Sequence, residues 1–186
     1  RRVLCGDGYV IGTAEANEGR ILLNTQSWAV ISGTASPERA EQCMDAVEEH
    51  LALDIGYRVC APPFTRYDPR IGHSSITLPG HIENGGCYNH AAGFKGVADC
   101  ILKRPEHAWE TFRKVAPDNP RNPVSHSRME PFAFVNMFFA HEFSYGEAFY
   151  PWRTGTGAWF TLLLVEWILG ARRDFPGLLI DPCLPR

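Results

Sequence analysis

Several common signatures are missing from these 186 residues. No run approaches the ~18 consecutive apolar residues that a membrane-spanning helix needs, and the first eight residues lack the long apolar region of a signal peptide. Acidic and basic residues are interspersed and the formal net charge is only −3, which gives no electrostatic case for binding nucleic acid or an anionic membrane. We therefore expect a cytoplasmic protein with neither nucleic acid nor membrane as a partner.

Signatures of metal and serine chemistry are also missing. Neither H-E-x-x-H nor G-x-S-x-G occurs. His81-x-Glu83 matches the first half of a zinc deaminase signature and Pro182-Cys183 starts the second half, but Arg186 stands where the second cysteine is required. The six cysteines include no C-x-x-C pair. We expect no metal site, and we expect reduced core thiols in preference to disulfides.

The residues that are present favour a mainly helical fold with a sizeable core, since 45% of the chain is hydrophobic and 12% aromatic. The last of the predicted helices is apolar nearly all round, so we expect other elements to enclose it. Residues 60–86 are rich in proline and glycine, and a loop of that length usually lines a site. Helical spacing and capping residues predict helices over residues 37–56, 89–102, 105–115, 131–140 and 156–169.

Two segments carry the chemistry of an anion site. Residues 83–90 bring a carboxylate, an amide and an imidazole to the start of a helix, and Thr154-Gly155-Thr156 places two hydroxyls and a glycine at the start of another. Backbone N–H groups at a helix start attract anions. Each feature also has a structural interpretation, because Thr154 or Thr156 can be a simple helix cap and His90 a structural hydrogen-bonding group. A dinucleotide fingerprint fails because Phe160 stands where a third glycine is required.

Aromatic residues offer a second clue. Such rings can stack on the faces of sugars, although in a chain with this aromatic content we expect most of them to belong to the core. The candidates are Trp28, Tyr67, Tyr88, Trp152 and Trp159.

Several segments together resemble one enzyme family. Residues 23–30, 67–72, 83–91, 154–156 and 177–185 are similar, in the right order, to motifs of the cellobiose and chitobiose phosphorylases, glycoside hydrolase family 94. The resemblance covers nearly the whole chain. It implies an (α/α)6 barrel catalytic domain with long functional loops, of which residues 1–186 would be a fragment from the C-terminal portion.

The resemblance also implies an activity and its residues. The family catalyses inverting phosphorolysis of a β-linked glucosyl or N-acetylglucosaminyl disaccharide to the sugar 1-phosphate, with inorganic phosphate as co-substrate and no cofactor. By this match His90, Thr154 and Gly155 would bind phosphate, with Thr156 completing the cradle. Glu83 would bind the sugar, and we predict Tyr88 as a second substrate-binding residue.

The family's general acid has no counterpart here. It is an aspartate in a Trp-Asn-Asp type motif expected upstream of residues 24–30, and this chain has no such motif, so we predict no catalytic residue within it. Two alternatives stay open: the phosphorylase-like domain of a cyclic β-1,2-glucan synthase, and a non-catalytic carbohydrate-binding module. The family analogy suggests a homodimer. Part of a barrel would also expose apolar helix faces such as residues 162–168 and favour association.

Overall fold

The computed structural model describes residues 3–186. Its helices carry most of the core, and its strands are short and form separate small sheets. The helices are α1 (Leu23–Ile31), α2 (Pro37–Leu51), α3 (Asn89–Ile101), α4 (Pro105–Val115), α5 (Val124–Ser127) and α6 (Thr156–Leu162), which continues into a π-helical turn, Leu163–Ile168. The strands are β1 (Val3–Leu4), β2 (Val10–Ile11), β3 (Ile21–Leu22), β4 (Ala52–Leu53), β5 (Gly56–Tyr57), β6 (Cys60–Ala61), β7 (Cys87–Tyr88), β8 (Val135–Phe138), β9 (Ala148–Pro151), β10 (Ala171–Asp174) and β11 (Gly177–Ile180).

Helix α2 forms as its sequence predicts. The Ser36 hydroxyl accepts a hydrogen bond from the Arg39 N–H at 3.4 Å, and Pro37 occupies the first turn. The buried residues follow helical spacing: Ala40, Met44, Val47 and Leu51. The helix ends at Leu51, short of the predicted end near residue 56, because the chain turns there into the β4–β5 hairpin.

Helix α3 is the centre of the fold and packs against α1, α4 and α6. Two glycines let α6 approach it closely. A Cβ on Gly96 would lie 2.5 Å from Cδ2 of Leu163, and one on Gly93 would lie 3.0 Å from Cβ of Trp159. Side chains larger than hydrogen at these positions would push the two helices apart.

A polar cluster lies inside this helical core, which we call the Lys95 cluster. The Lys95 ammonium is fully buried, forms an ion pair with Asp99 at 2.7 Å, and donates hydrogen bonds to the Tyr57 hydroxyl and to Thr111, each at 3.0 Å. It also pairs with Glu48. These contacts join α2, α3 and α4. A buried charge is tolerated only when it is paired and hydrogen-bonded, and the cluster meets that requirement for Lys95.

One three-stranded sheet, in the order β7-β8-β9, positions the functional loops. The strands are antiparallel, with Cys87 opposite Phe138 and Met137 opposite Phe149. The helix predicted over residues 131–140 is therefore wrong. A short apolar run does not distinguish a buried strand from a buried helix, and here it pairs with strands on both sides.

Other outcomes are mixed. The predicted helix at residues 156–169 is confirmed as α6 and its π-helical turn, but Ala158 and Val165 remain exposed, so its enclosure within residues 3–186 is incomplete. Helix α1 was not predicted. Four of the six cysteines, Cys60, Cys87, Cys100 and Cys183, are buried, whereas Cys5 and Cys43 are partly exposed. No helix among residues 3–186 is long and apolar enough to cross a membrane.

Candidate active site

The loop before α3 opens onto a cavity of about 320 Å³. The chain leaves the loop through the short strand β7 and enters α3 at once, so three predicted site residues fall within eight residues of one another. Glu83, Tyr88 and His90 all line this cavity, together with Asn24 and Ser74. The structure thus brings together the residues that the sequence predicted to bind sugar and one that it predicted to bind phosphate.

Glu83 and Tyr88 form a hydrogen-bonded pair. The Tyr88 hydroxyl donates to Oε1 of Glu83 at 3.0 Å, and Nε2 of His73 lies 3.9 Å from the other carboxylate oxygen. Burial, and then the charge of Glu83, raise the pKa of Tyr88, so the phenol keeps its proton. The Glu83 carboxylate is about half exposed, with 47% of its side chain accessible. It therefore retains acceptor capacity for a sugar hydroxyl.

Glu83 also lines a second cavity, of about 230 Å³. The two cavities share Leu22, Cys60 and Ser74 as well as Glu83, while Arg70 lines only the second. The carboxylate consequently stands where two adjoining spaces meet, an arrangement that suits a residue between two sugar rings.

His90 lies in the first turn of α3. Its ring makes edge contacts with Tyr88 and Phe94, with centroid separations of 5.4 and 5.8 Å. Burial lowers the pKa of His90, and a hydrogen bond with the Asn136 side chain acts in the opposite direction. The imidazole is therefore held in its neutral form near pH 7, with one N–H donor and one acceptor nitrogen.

The loop Thr154-Gly155-Thr156 is internally bonded. The two threonine hydroxyl oxygens are 2.6 Å apart, and the backbone N–H of Thr156 donates to Oγ1 of Thr154 at 3.0 Å. Thr156 is fully buried, whereas Gly155 is exposed. A Cβ on Gly155 would meet only Cδ1 of Trp159 at 3.8 Å, so there is open space around this residue.

Asn136 connects the two predicted segments. It lies on the central strand β8, and its Oδ1 is 3.3 Å from the Thr154 hydroxyl while the same side chain hydrogen-bonds His90. The sheet thus brings the Asn136 side chain to the Thr154 hydroxyl and near enough to His90 to act on its pKa. Sequence reasoning missed Asn136. The hint in the sequence was that Asn136 is a polar residue within an apolar run. Such a pattern fits a strand that turns one side chain away from the core and toward a site.

Some sequence expectations are wrong at the level of single residues. We expected most of the candidate aromatic residues to belong to the core. Trp28, Tyr67 and Trp152 are instead 43%, 63% and 65% exposed.

Among residues 3–186 no group of three His, Cys, Asp or Glu side chains is placed to hold a metal ion. His81, from the partial zinc motif, instead contacts Ser144, with Nε2 and Oγ separated by 3.2 Å.

Residues 1–170 match the model of the glycosyl hydrolase 94 superfamily catalytic domain. The chain belongs to this family. It is 41% identical to 3-O-beta-D-glucopyranosyl-beta-D-glucuronide phosphorylase of Paenibacillus borealis over 181 residues, which are 96% of this chain and 23% of that protein. It is 36% identical to N,N'-diacetylchitobiose phosphorylase of Vibrio proteolyticus over 185 residues, 99% of this chain and 23% of that protein.

A third relative has a different name. The cyclic beta-(1,2)-glucan synthase NdvB of Rhizobium meliloti (strain 1021) is 36% identical over 199 residues, which cover 100% of this chain but 7% of that protein. This glycosyl hydrolase 94 chain spans about a quarter of the length of the two phosphorylases it matches.

Proposed function

We propose that this chain supplies part of the active site of a glycoside phosphorylase. The reaction is inverting phosphorolysis, in which inorganic phosphate attacks the anomeric carbon of a β-linked glucosyl or N-acetylglucosaminyl disaccharide and releases the sugar 1-phosphate. Two relatives named as phosphorylases match nearly the whole of this chain at 36% and 41% identity. Phosphate is the co-substrate and no cofactor is required.

One observation supports this function above the others. His90 and Thr154 share the amide of Asn136, and His90 also lines the cavity that contains Glu83 and Tyr88. The imidazole of His90 therefore lies at a cavity with a carboxylate that can bind sugar, and it shares a side-chain neighbour, Asn136, with the Thr154 hydroxyl. We assign phosphate binding to His90, Thr154, Gly155 and Thr156.

The chemistry explains why hydrogen-bond donors suffice on this side of the site. An inverting hydrolase needs a general base to activate water. Phosphate is already a nucleophile, so the site has only to hold the anion against the sugar ring, which hydrogen-bond donors do. We assign sugar binding to Glu83 and Tyr88. The general acid that protonates the leaving oxygen is proposed to lie outside these residues.

The proposal extends to the architecture and setting. We propose that residues 1–186 are the C-terminal portion of an (α/α)6 barrel catalytic domain, which is supported by the family membership and by the packing of α1, α2, α4 and α6 around α3. We further propose a cytoplasmic homodimer. The cytoplasmic setting follows the sequence-based expectation of reduced thiols, and the dimer rests on family analogy.

The first test measures phosphate release by the complete gene product. The protein is mixed with glucose 1-phosphate or N-acetylglucosamine 1-phosphate and a panel of sugar acceptors, and residues 1–186 alone are tested in parallel. We expect release by the complete protein only, and the acceptor that supports it identifies the substrate. A folded complete protein that is silent with every acceptor but binds sugar in calorimetry would favour the non-catalytic binding module.

A second test addresses the phosphate loop. Gly155→Ala should fold normally, because its φ of −79° suits alanine and the nearest atom to the new Cβ is 3.8 Å away. The methyl group should nevertheless crowd an anion held at the exposed backbone of Gly155 and raise the apparent KM for phosphate. Gly157→Ala is the matched control, since a Cβ there meets nothing within 4 Å and the residue lies inside α6. Equal phosphate kinetics in the two variants would remove Gly155 from the assignment.

The match to the cyclic glucan synthase supports a second candidate within the same enzyme class. In that case these residues would be the phosphorylase-like domain of a much longer polypeptide. Determining the sequence that precedes this chain in the gene distinguishes the two, because glycosyltransferase and transmembrane segments there favour the synthase.

A further inference from the structure

The turn that carries Glu83 has a strained backbone. Ile82, the residue before it, has a φ of 45°, in the left-handed region where a β-branched side chain is an outlier. The turn is also tight, because a Cβ on Gly86 would lie 2.7 Å from the carbonyl oxygen of Ile82. Such strain persists only where the surrounding structure over-determines the conformation, and it is concentrated at functional sites. Other contacts must therefore hold this turn in place.

The side chain of Asn84 supplies those contacts. It is fully buried, its Oδ1 accepts the Phe64 N–H at 2.7 Å, and its Nδ2 donates to the carbonyls of Phe64 and Thr77, each at 2.8 Å. The backbone of Asn84 closes the turn as well. Its N–H donates to the carbonyl of His81 at 2.8 Å, and its carbonyl accepts the Gly80 N–H at 2.7 Å. Side chain and backbone thus tie the turn to itself and to two other segments of the chain.

The segments that Asn84 joins are walls of the two cavities. Phe64 lines the second cavity, and Ser74, three residues before Thr77, lines both. Glu83, which directly precedes Asn84, also lines both. We propose that Asn84 is a positioning residue that holds the strained turn and thereby sets the Glu83 carboxylate where the two cavities meet. This inference rests on the proposed function, because it takes Glu83 as a sugar-binding residue.

The hydrogen bonds explain why this position requires an amide. The surrounding backbone presents one N–H and two carbonyls, which an amide can satisfy together. Aspartate has the same shape, but an ionised aspartate offers no donor to either carbonyl, and a protonated one has a single O–H for the two of them. Asn84→Asp therefore removes at least one of the bonds to Phe64 and Thr77. The turn should then relax toward an unstrained φ at Ile82, and Glu83 should move with it.

Asn119 offers a matched control. Its side chain is also buried, accepts the Arg121 N–H at 3.0 Å, and donates to the carbonyls of Lys114 at 2.8 Å and Asp54 at 3.5 Å. Asn119 lines neither of the two cavities. Asn119→Asp therefore disturbs a similar set of bonds away from Glu83.

The experiment measures ligand binding to the complete gene product by calorimetry. Wild type, Asn84→Asp and Asn119→Asp are titrated with glucose or N-acetylglucosamine, whichever the wild type binds, and separately with inorganic phosphate. We expect Asn84→Asp to raise the Kd for the sugar roughly tenfold to a hundredfold, the range expected for losing hydrogen bonds to a charged group. The Kd for phosphate should stay within about twofold of wild type, and Asn119→Asp should leave both values within the same limit.

A double substitution distinguishes positioning of Glu83 from a general loss of structure. Glu83→Ala removes the carboxylate, so its placement no longer matters. If Asn84 acts through Glu83, adding Asn84→Asp to Glu83→Ala should change the Kd for the sugar by no more than about twofold. Effects of the two substitutions that multiply would show that Asn84 acts by another route and would overturn the inference.

Other outcomes would overturn it as well. Wild-type sugar affinity in Asn84→Asp would do so, as would an equal loss of affinity for sugar and phosphate, or the same loss of sugar affinity in Asn119→Asp. Thermal unfolding checks that each variant is folded. If Asn84→Asp does not fold, Asn84→Ser takes its place, since serine is uncharged and has one hydroxyl where the amide makes three bonds. A folded wild type that binds neither ligand would overturn the proposed function along with this inference, whereas a wild type that binds both, with an unaltered Asn84 variant, would overturn this inference alone.

Discussion

The Lys95 cluster makes a strong prediction about stability, for the substitution Lys95→Met. Methionine fills most of the lysine volume but removes the ammonium group, whose partners Asp99, Tyr57 and Thr111 lie within 3.0 Å. Asp99 is fully buried, and its next nearest cation, Arg104, is 3.7 Å away. Breaking a buried pair from one side costs about 3–5 kcal/mol because the remaining charge is left uncompensated. We therefore expect a fall in the free energy of unfolding of about that size.

The assay is thermal and urea-induced unfolding of the complete gene product carrying each substitution. The matched control is Lys103→Met, which removes the same group from an exposed ion pair with Asp181, 56% of the lysine side chain being accessible. Exposed pairs contribute little, so the control should melt close to wild type. A second substitution, Asp99→Asn, should recover part of the loss in Lys95→Met by removing the stranded charge. If Lys95→Met melts with the control, the reasoning from burial is refuted.

Three further predictions concern packing, pH and association. Gly96→Ala should lower the stability by about 1–3 kcal/mol, because its methyl group would lie 2.5 Å from Cδ2 of Leu163, and urea unfolding measures this. Burial lowers the pKa of His90. The stability that the neutral imidazole contributes is therefore present above the unfolded pKa of ~6.5 and is lost as pH falls through the folded pKa. Between pH 7 and pH 5 the His90→Gln protein should lose less stability than the wild-type protein. Residues 1–186 alone should associate in light scattering, since apolar side chains such as Phe175 and Ile180 are 87% and 62% exposed, and a monodisperse, cooperatively melting monomer would contradict this.

The sequence predicted the helices whose signals are local. Helix α2 has a capping serine, a proline in its first turn and buried residues at helical spacing, so nothing outside the segment is needed to recognise it. Helix α1 lacks these signals. Leu22 provides no side-chain cap, and a polar residue, Ser27, is among those it buries. Packing against α2 and α3 selects its conformation, which no local pattern encodes.

The residues of the candidate site also differ in how far the sequence could predict them. Glu83, Tyr88 and His90 are close in sequence, and the structure places them around one cavity. Asn136 acquires its partners only through the pairing of β8 with β7 and β9, so its position beside His90 and Thr154 could not be predicted without the sheet. The error that assigned residues 131–140 to a helix thus also concealed a residue of the site.

The pairing of β7 with β8 has a consequence for how the protein is made. Asn89, the first residue of α3, donates its side-chain amide to the carbonyl of Val135, which is synthesised 46 residues later. At typical translation rates of about 5–20 residues per second, that interval lasts roughly 2–9 seconds. For that time the nascent chain presents β7 without its partner strand and α3 without this anchor. Ribosome-bound chains that end before β8 should therefore be targets for chaperones.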